Sequence, residues 1–215
     1  MTEVNLMKVE WKKHDKAIYL PAALPALIEV PAYPYFLLKG EGNPNAPAFR
    51  EAVGVLYSLS YTVKMLPRNG PAPEGYYDYT IYPLEGIWDL SEAGRSKAAL
   101  DKVELVYTIM IRQPDFVTPE LAAEILHKVK TSKPHPLLEQ AAFGKVEDGL
   151  SVQMLHTGPY DEEPASFARM EQFCAGAGLR RESKLHREIY LSDARRVKPE
   201  KLRTVLRFKV SRQHS

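Results

Sequence analysis

The sequence predicts an α+β fold built from two β-α-β-β units in tandem. An antiparallel sheet would carry helices on one side and form a cleft about a pseudo-twofold axis. Two stretches carry that reading. Leu38–Asn45 and Met154–Tyr160 are each an apolar strand end followed by a Gly/Pro turn. Each runs into an amphipathic helix with a Phe in its first turns, Phe49 and Phe167. Strand-like segments follow both helices, and antiparallel sheets with helices segregated to one face belong to the α+β class.

Residues 1–26 are charged, then Pro- and Ala-rich, and read as a leader that packs on the body. The body runs from 27 to 210, with units at about 27–131 and 137–210. Leu27–Pro31 opens the first strand, which resumes at Tyr35–Leu38 and ends at the Gly/Asn/Pro turn. The helix from Pro47 to Met65 sets Phe49, Val53, Leu56, Tyr57 and Ser60 on one face. Pro47 suits the first turn, where an NH has no intrahelical partner. Pro67 and Asn69-Gly70-Pro71 stop the helix. Strands are expected over Asp78–Trp88 and Leu105–Ile111, joined by a charged loop around Ser91–Asp101. Thr118 should cap a helix with Leu121, Ala122, Ile125, Leu126 and Val129 on its inner face. After the linker Thr131–Pro136, Leu137–Phe143 reads as a short helix.

The second unit opens with a strand at Leu150–His156. A helix over Glu163–Ala175 stops at Gly176 and Gly178. Strands at Leu185–Leu191 and Leu202–Val210 complete it.

The charge balance, 29 basic against 27 acidic side chains, gives no compositional sign of a nucleic-acid binder. The Arg- and Lys-rich stretch from Arg180 to Arg212 reads as a solvated surface. One cysteine, Cys174, excludes an intrachain disulfide and fits a reducing compartment. It lies in line with Phe167 and Met170, as a small buried hydrophobe. No signal-peptide pattern and no apolar run of membrane-spanning length occurs, so the chain is expected to be cytoplasmic, with no membrane partner. His156 and His186 lack companions at ligand spacing, so neither a metal nor a cofactor is expected. Gly40-x-Gly42 lacks the third glycine of a dinucleotide fingerprint and reads as a turn. Arg112-Gln113-Pro114-Asp115 reads as a turn fixed by an internal ion pair. No Gly-x-Ser-x-Gly occurs.

Several motifs together resemble a known family. They are Gly40-x-Gly42-x-Pro44-Asn45, Lys64-Met65, Pro83-Leu84-Glu85-Gly86-x-Trp88, Met110–Phe116 and His186–Asp193. In that order, over about Leu27 to Val210, they look like the stand-alone GyrI-like small-molecule-binding proteins of bacteria. The resemblance implies a tandem β-α-β-β fold similar to the effector-binding domains of multidrug-responsive regulators. It also implies an aromatic cleft with a buried carboxylate for lipophilic, often cationic, molecules. The stand-alone branch is further linked to hydrolytic opening of cyclopropane rings in DNA-alkylating natural products. The chain departs from close relatives at Tyr107, where a Trp is expected. It carries no helix-turn-helix domain of the kind the regulators use, so DNA is not an expected partner.

Glu188 is the leading candidate. It lies mid-strand with His186 and Tyr190 on one side, while Arg187, Ile189 and Leu191 alternate on the other. A glutamate buried there needs a partner and should hold its proton more tightly. It could pair with a cationic ligand or handle a proton; the alternative is a surface glutamate paired with an arginine. Glu85 alternates away from Tyr82, Gly86 and Trp88. It is either a second carboxylate that splits acid and base roles with Glu188 or a bridge to a neighbouring strand.

The aromatic set of Tyr57, Tyr61, Tyr82, Trp88, Tyr107, Tyr160 and Tyr190 offers flat contacts and cation-binding faces. For each single ring, core packing competes with that reading. Met110, with Met65 and Met154, adds an adaptable lining. In the hydrolytic alternative, Glu188 activates water and Tyr160 or Tyr190 stabilises the carbonyl oxygen as the ring opens. Two readings therefore stand, a binder of lipophilic aromatic molecules and a detoxifying cyclopropane hydrolase. A third, shielding a topoisomerase by protein contact, would need an exposed apolar patch. Oligomeric state is open between monomer and homodimer.

Overall fold

The computed structural model describes residues 8–213. Two four-residue helical turns, α1 (Trp11–His14) and α2 (Lys16–Tyr19), precede β1 (Ala26–Val30) and β2 (Tyr33–Glu41). Helix α3 (Pro47–Lys64) and the turn α4 (Leu66–Asn69) lead to β3 (Leu84–Leu90), α5 (Glu92–Arg95) and β4 (Leu105–Arg112). Helix α6 (Pro119–Ser132) is followed by β5 (Ala142–Val146), β6 (Gly149–Thr157), α7 (Glu163–Gly176), β7 (Leu179–Arg181), β8 (His186–Tyr190) and β9 (Arg203–Arg212).

All strand pairings are antiparallel, and the sheet order is β1-β6-β9-β8-β3-β4-β2-β5, with short β7 beside β9. The centre of the sheet is the β3–β8 pair, where Gly86 lies opposite Glu188 and Trp88 opposite His186. The sheet is curled. Val30 faces Gly149 in the β1–β6 pair, and Tyr33 faces Val146 in the β2–β5 pair. These pairs belong to one unbroken register, so the links 31–32 and 147–148 carry two strand paths from one end of the sheet to the other.

Strand alternation assigns side chains to two faces. On one face Phe36, Leu38, Ile109 and Ile111 are buried with Leu56, Leu59 and Val63 of α3 and with Ile125 and Val129 of α6. Further along the sheet, Val152, Met154, Leu206 and Phe208 pack with Met170 and Cys174 of α7. Pro47 and Pro119 each open their helices, and Thr118 caps α6 by accepting from the Leu121 NH at 3.2 Å.

The other face is polar and is covered by residues 15–22. Glu85, 1% exposed, accepts from Arg187 Nη1 at 2.7 Å, Tyr19 Oη at 3.1 Å and Tyr35 Oη at 3.4 Å. Arg187 Nη2 donates to Asp148 at 2.7 Å, and Arg207 donates to the other Asp148 oxygen at 3.0 Å. Arg207 also reaches the Gln153 side chain and the Ile18 carbonyl, while Gln153 donates to the Ala17 carbonyl. Two arginines and two carboxylates thus balance within one buried network that binds the leader to five strand segments. Burial alone would raise the Asp148 pKa, but the two guanidiniums outweigh it and hold the carboxyl below its usual range.

Three local expectations change. Leu137–Phe143 forms a 3₁₀ turn at Pro136–Glu139 and then enters β5, because Phe143 pairs with Phe36 across the ladder, their rings 5.4 Å apart. The strand expected from Asp78 begins only at Leu84. Before it, Tyr79 makes an isolated bridge to Val9, and Pro83 has no NH to offer a ladder. Arg112 turns away from Asp115: it pairs with Asp15 at 3.4 Å and lies over the rings of Tyr33 and Tyr82.

Candidate functional site

The site is built where the two central strands meet the starts of α3 and α7. Alternation on β3 and β8 sends Gly86, Trp88, His186, Glu188 and Tyr190 to the helix face. The Glu188 side chain keeps 12% of its surface exposed. Its Oε2 accepts from Tyr190 Oη at 2.7 Å, and that hydroxyl in turn accepts from Trp88 Nε1 at 2.8 Å. Its Oε1 lies 3.1 Å from His186 Nε2. A charge-assisted chain of indole, phenol and carboxylate therefore fixes both rings around Glu188.

Gly86 is required for this packing. A Cβ at that position would lie 2.5 Å from Trp88 Nε1 and 3.3 Å from Tyr190 Oη. The Trp88 indole also rests on Phe49 of α3, stacked at 5.9 Å, and on Tyr107 at 5.0 Å. Tyr107 in turn occupies the space that a side chain at Gly40 would need.

From α7 comes a residue that the sequence reading left unassigned. Glu163, the first residue of the helix, is buried, and its Oε1 has no hydrogen-bond partner. Burial, then the Glu188 carboxylate beside it, pushes its pKa far above the usual glutamate range. Two neighbouring carboxyls with one kept protonated can divide acid and base roles. Tyr160 stands edge-on to Tyr190 at 6.0 Å, and burial with the nearby Glu188 charge pushes its hydroxyl up to about 12. Burial and Glu188 likewise raise Tyr190. The clue to Glu163 in the sequence was its place in the first turn after Tyr160, but nothing local marks a helical glutamate as buried.

The predicted residues divide between the two faces. Glu188, Tyr190, Trp88, Tyr107 and Tyr160 gather on the helix face. Glu85 and Met110 project from the opposite face, with Arg187 touching both. Tyr82, expected on the side of Gly86 and Trp88, packs instead on Tyr19 beside Glu85, because β3 begins only at Leu84 and alternation does not reach back to it. Glu85 therefore makes the strand-to-strand bridge that was its alternative reading and does not share a site with Glu188. Tyr57 lies on α3, half-buried, with Asp193 among the charges acting on it, while Tyr61 one turn on is 53% exposed. Among the described residues, no group of three or more His, Cys, Asp or Glu side chains could hold a metal, and no helix is long and apolar enough to cross a membrane. A groove of about 630 Å³ lies between Ala23, the end of β6 and the start of α7; Glu188 is not among its lining residues.

Comparison with known proteins agrees with this architecture. A protein from Listeria innocua described as a hydrolase shares 35% identity, with 95% of this chain and all of that one aligned at a TM-score of 0.86. An uncharacterized conserved protein from Listeria innocua shares 38% identity over the same extents, at a TM-score of 0.87. The EcmrR C-terminal domain, at 12% identity, has a TM-score of 0.54 over 91% of this chain and 99% of that one, a likeness of fold alone. No curated protein matches the chain. The model of the GyrI-like small molecule binding domain matches residues 25–211, and with the sheet, helices and central strands described above the chain belongs to that family.

Proposed function

We propose that the chain binds a lipophilic aromatic small molecule between the first turns of α3 and α7, with Glu188 as its polar anchor. The observation that carries this reading is a carboxylate almost out of water among the rings of Trp88, Tyr190 and Tyr160. Such a group can pair with a positive charge, and the rings supply flat contact area. Tyr160, 37% exposed, is the outermost of these rings. The single cysteine, buried Cys174, is in keeping with a reducing cytoplasmic setting.

Hydrolysis is the second reading, favoured by Glu163 beside Glu188 and by the Listeria relative described as a hydrolase. Glu188 would take a proton from water while the water oxygen bonds to a carbon of a conjugated cyclopropane. The strained carbon–carbon bond breaks, its electrons pass to the conjugated carbonyl oxygen, and the protonated Glu163 or Tyr190 supplies the proton that oxygen gains.

A mass-spectrometric time course tests both readings. A cyclopropane-bearing, DNA-alkylating aromatic compound is incubated with wild type, Glu188→Gln and a protein-free blank. Retention without mass change, weakened in the variant, supports binding. Gain of one water, fast in wild type and lost in the variant, supports hydrolysis. Equal retention by wild type and variant, with no turnover, refutes the role given to Glu188.

A further inference from the structure

The groove beside α7 contains a second set of reactive side chains, separate from Glu188. Ser166 lies on the fourth residue of α7, and His156 lies near the end of β6. Ser166 Oγ and His156 Nδ1 are 2.9 Å apart, and His156 Nε2 is 3.1 Å from the Pro159 carbonyl oxygen. A carbonyl can only accept, so Nε2 carries the proton. Nδ1 is then the bare nitrogen and accepts from the Ser166 hydroxyl. The tautomer is fixed by geometry, as in other nucleophile–base–orienter arrangements.

Two further features fit chemistry as well as packing. A Cβ at Gly158 would sit 3.1 Å from Glu162 Oε2 and 3.6 Å from His156 Nε2. The Glu162 carboxylate and the His156 ring therefore flank Gly158, and a side chain there would push into both. Gly158 itself has φ 138°, a backbone conformation that a side chain would strain. Both His156 and Ser166 line the groove of about 630 Å³, whose other walls include Met154, Pro164 and Ala165, with Arg169 holding the Ala23 carbonyl at 3.0 Å.

We propose that Ser166 is a nucleophile activated by His156 and that this groove accepts uncharged esters with a small apolar acyl group. In the step, Ser166 Oγ bonds to the acyl carbon and its proton passes to His156 Nδ1. The ester carbon–oxygen bond breaks, and the alcohol leaves with that proton. Water then bonds to the acyl carbon and gives a proton to Nδ1; the acyl carbon–Oγ bond breaks, the acid leaves, and that proton returns to Ser166 Oγ. Nothing in this step involves Glu188, so its test and that of the small-molecule site fail separately.

The test uses the full chain and diisopropyl fluorophosphate, which marks activated serines, followed by intact-mass and peptide analysis; p-nitrophenyl acetate turnover is read in parallel. One phosphoryl adduct on the peptide containing Ser166 is expected. It should be absent in Ser166→Ala and slowed by about a hundredfold or more in His156→Gln, the scale of a lost general base. Circular dichroism of each variant, matched to wild type, shows that the fold is kept. No adduct on folded wild type, an adduct elsewhere such as on exposed Tyr160, or equal labelling of His156→Gln would each overturn the proposal. The His156–Ser166 contact would then be a helix-to-strand staple.

Discussion

Replacing Arg187 with Met removes the cation at the centre of the polar face. Both of its Nη atoms are paired, with Glu85 and with Asp148, each at 2.7 Å. Asp148 would keep Arg207 at 3.0 Å, but Glu85 would keep only two tyrosine hydroxyls, one of them at 3.4 Å. At 1% exposure Glu85 cannot recover the lost interaction from water. Breaking one partner of such a pair costs about 3–5 kcal/mol, against a total of roughly 5–15 for a domain. With a urea slope of about 2 kcal/mol per molar, the midpoint should fall by about 1.5–2.5 M.

The double variant Arg187→Met with Glu85→Leu removes both charges and leaves the Asp148–Arg207 pair balanced. It should recover about 2 kcal/mol or more relative to Arg187→Met, the sign expected when a buried pair is replaced by apolar groups. The assay is urea unfolding followed by fluorescence of the two tryptophans, one on each side of the sheet. Trp11 packs on Tyr19, the leader's contact to Glu85, and Trp88 packs on the Glu188 face. A loss below 1 kcal/mol for the single variant, or strictly additive single effects, would refute the account of the network as a mutually compensating unit.

Gly86→Ala places a methyl against an indole already held by Phe49 and Tyr107, so it should cost about 1–3 kcal/mol in urea unfolding. It should also weaken ligand retention by at least about tenfold, through the broken Trp88–Tyr190–Glu188 chain. Glu163 binds its proton more tightly folded than unfolded, so its contribution is full below the ordinary glutamate pKa of about 4.3 and is lost as pH rises toward its raised folded value. Glu163→Gln should therefore gain stability relative to wild type between pH 5 and 9, by about the same sign and growing size at each step; urea midpoints across that range that stay parallel would contradict the protonated Glu163.

Much of the fold was legible because local chemistry repeats it. Strand alternation separates His186, Glu188 and Tyr190 from Arg187, and the Thr118 cap and helix-opening prolines sit where their chemistry requires. The same reasoning set Glu85 on the face away from Trp88, and the β3–β8 register places it there. It could not say that residues 15–22 would close over that face. The contacts of Tyr19 with Glu85 and of Arg207 with Ile18 span 66 and 189 residues, and no local pattern encodes such a distance. The β5 strand was missed for a similar reason, since five residues acquire strand structure from the β2 edge they join.

Sequence alone determined the antiparallel α+β class, the order of the longer helices and strands apart from β5 and β7, the membership suggested by the motifs from Gly40 to Asp193, and which residues of β8 share a face. Tertiary structure decided which face each set would meet. It drew Tyr82, Glu85 and Met110 into an ionic interior under the leader, and it brought Glu163 from the start of α7 to Glu188. The physical reason is that alternation fixes only relative direction within a strand. Burial and the resulting pKa of Glu163 depend on elements far away in the chain, and those are placed only when the sheet curls and the helices dock.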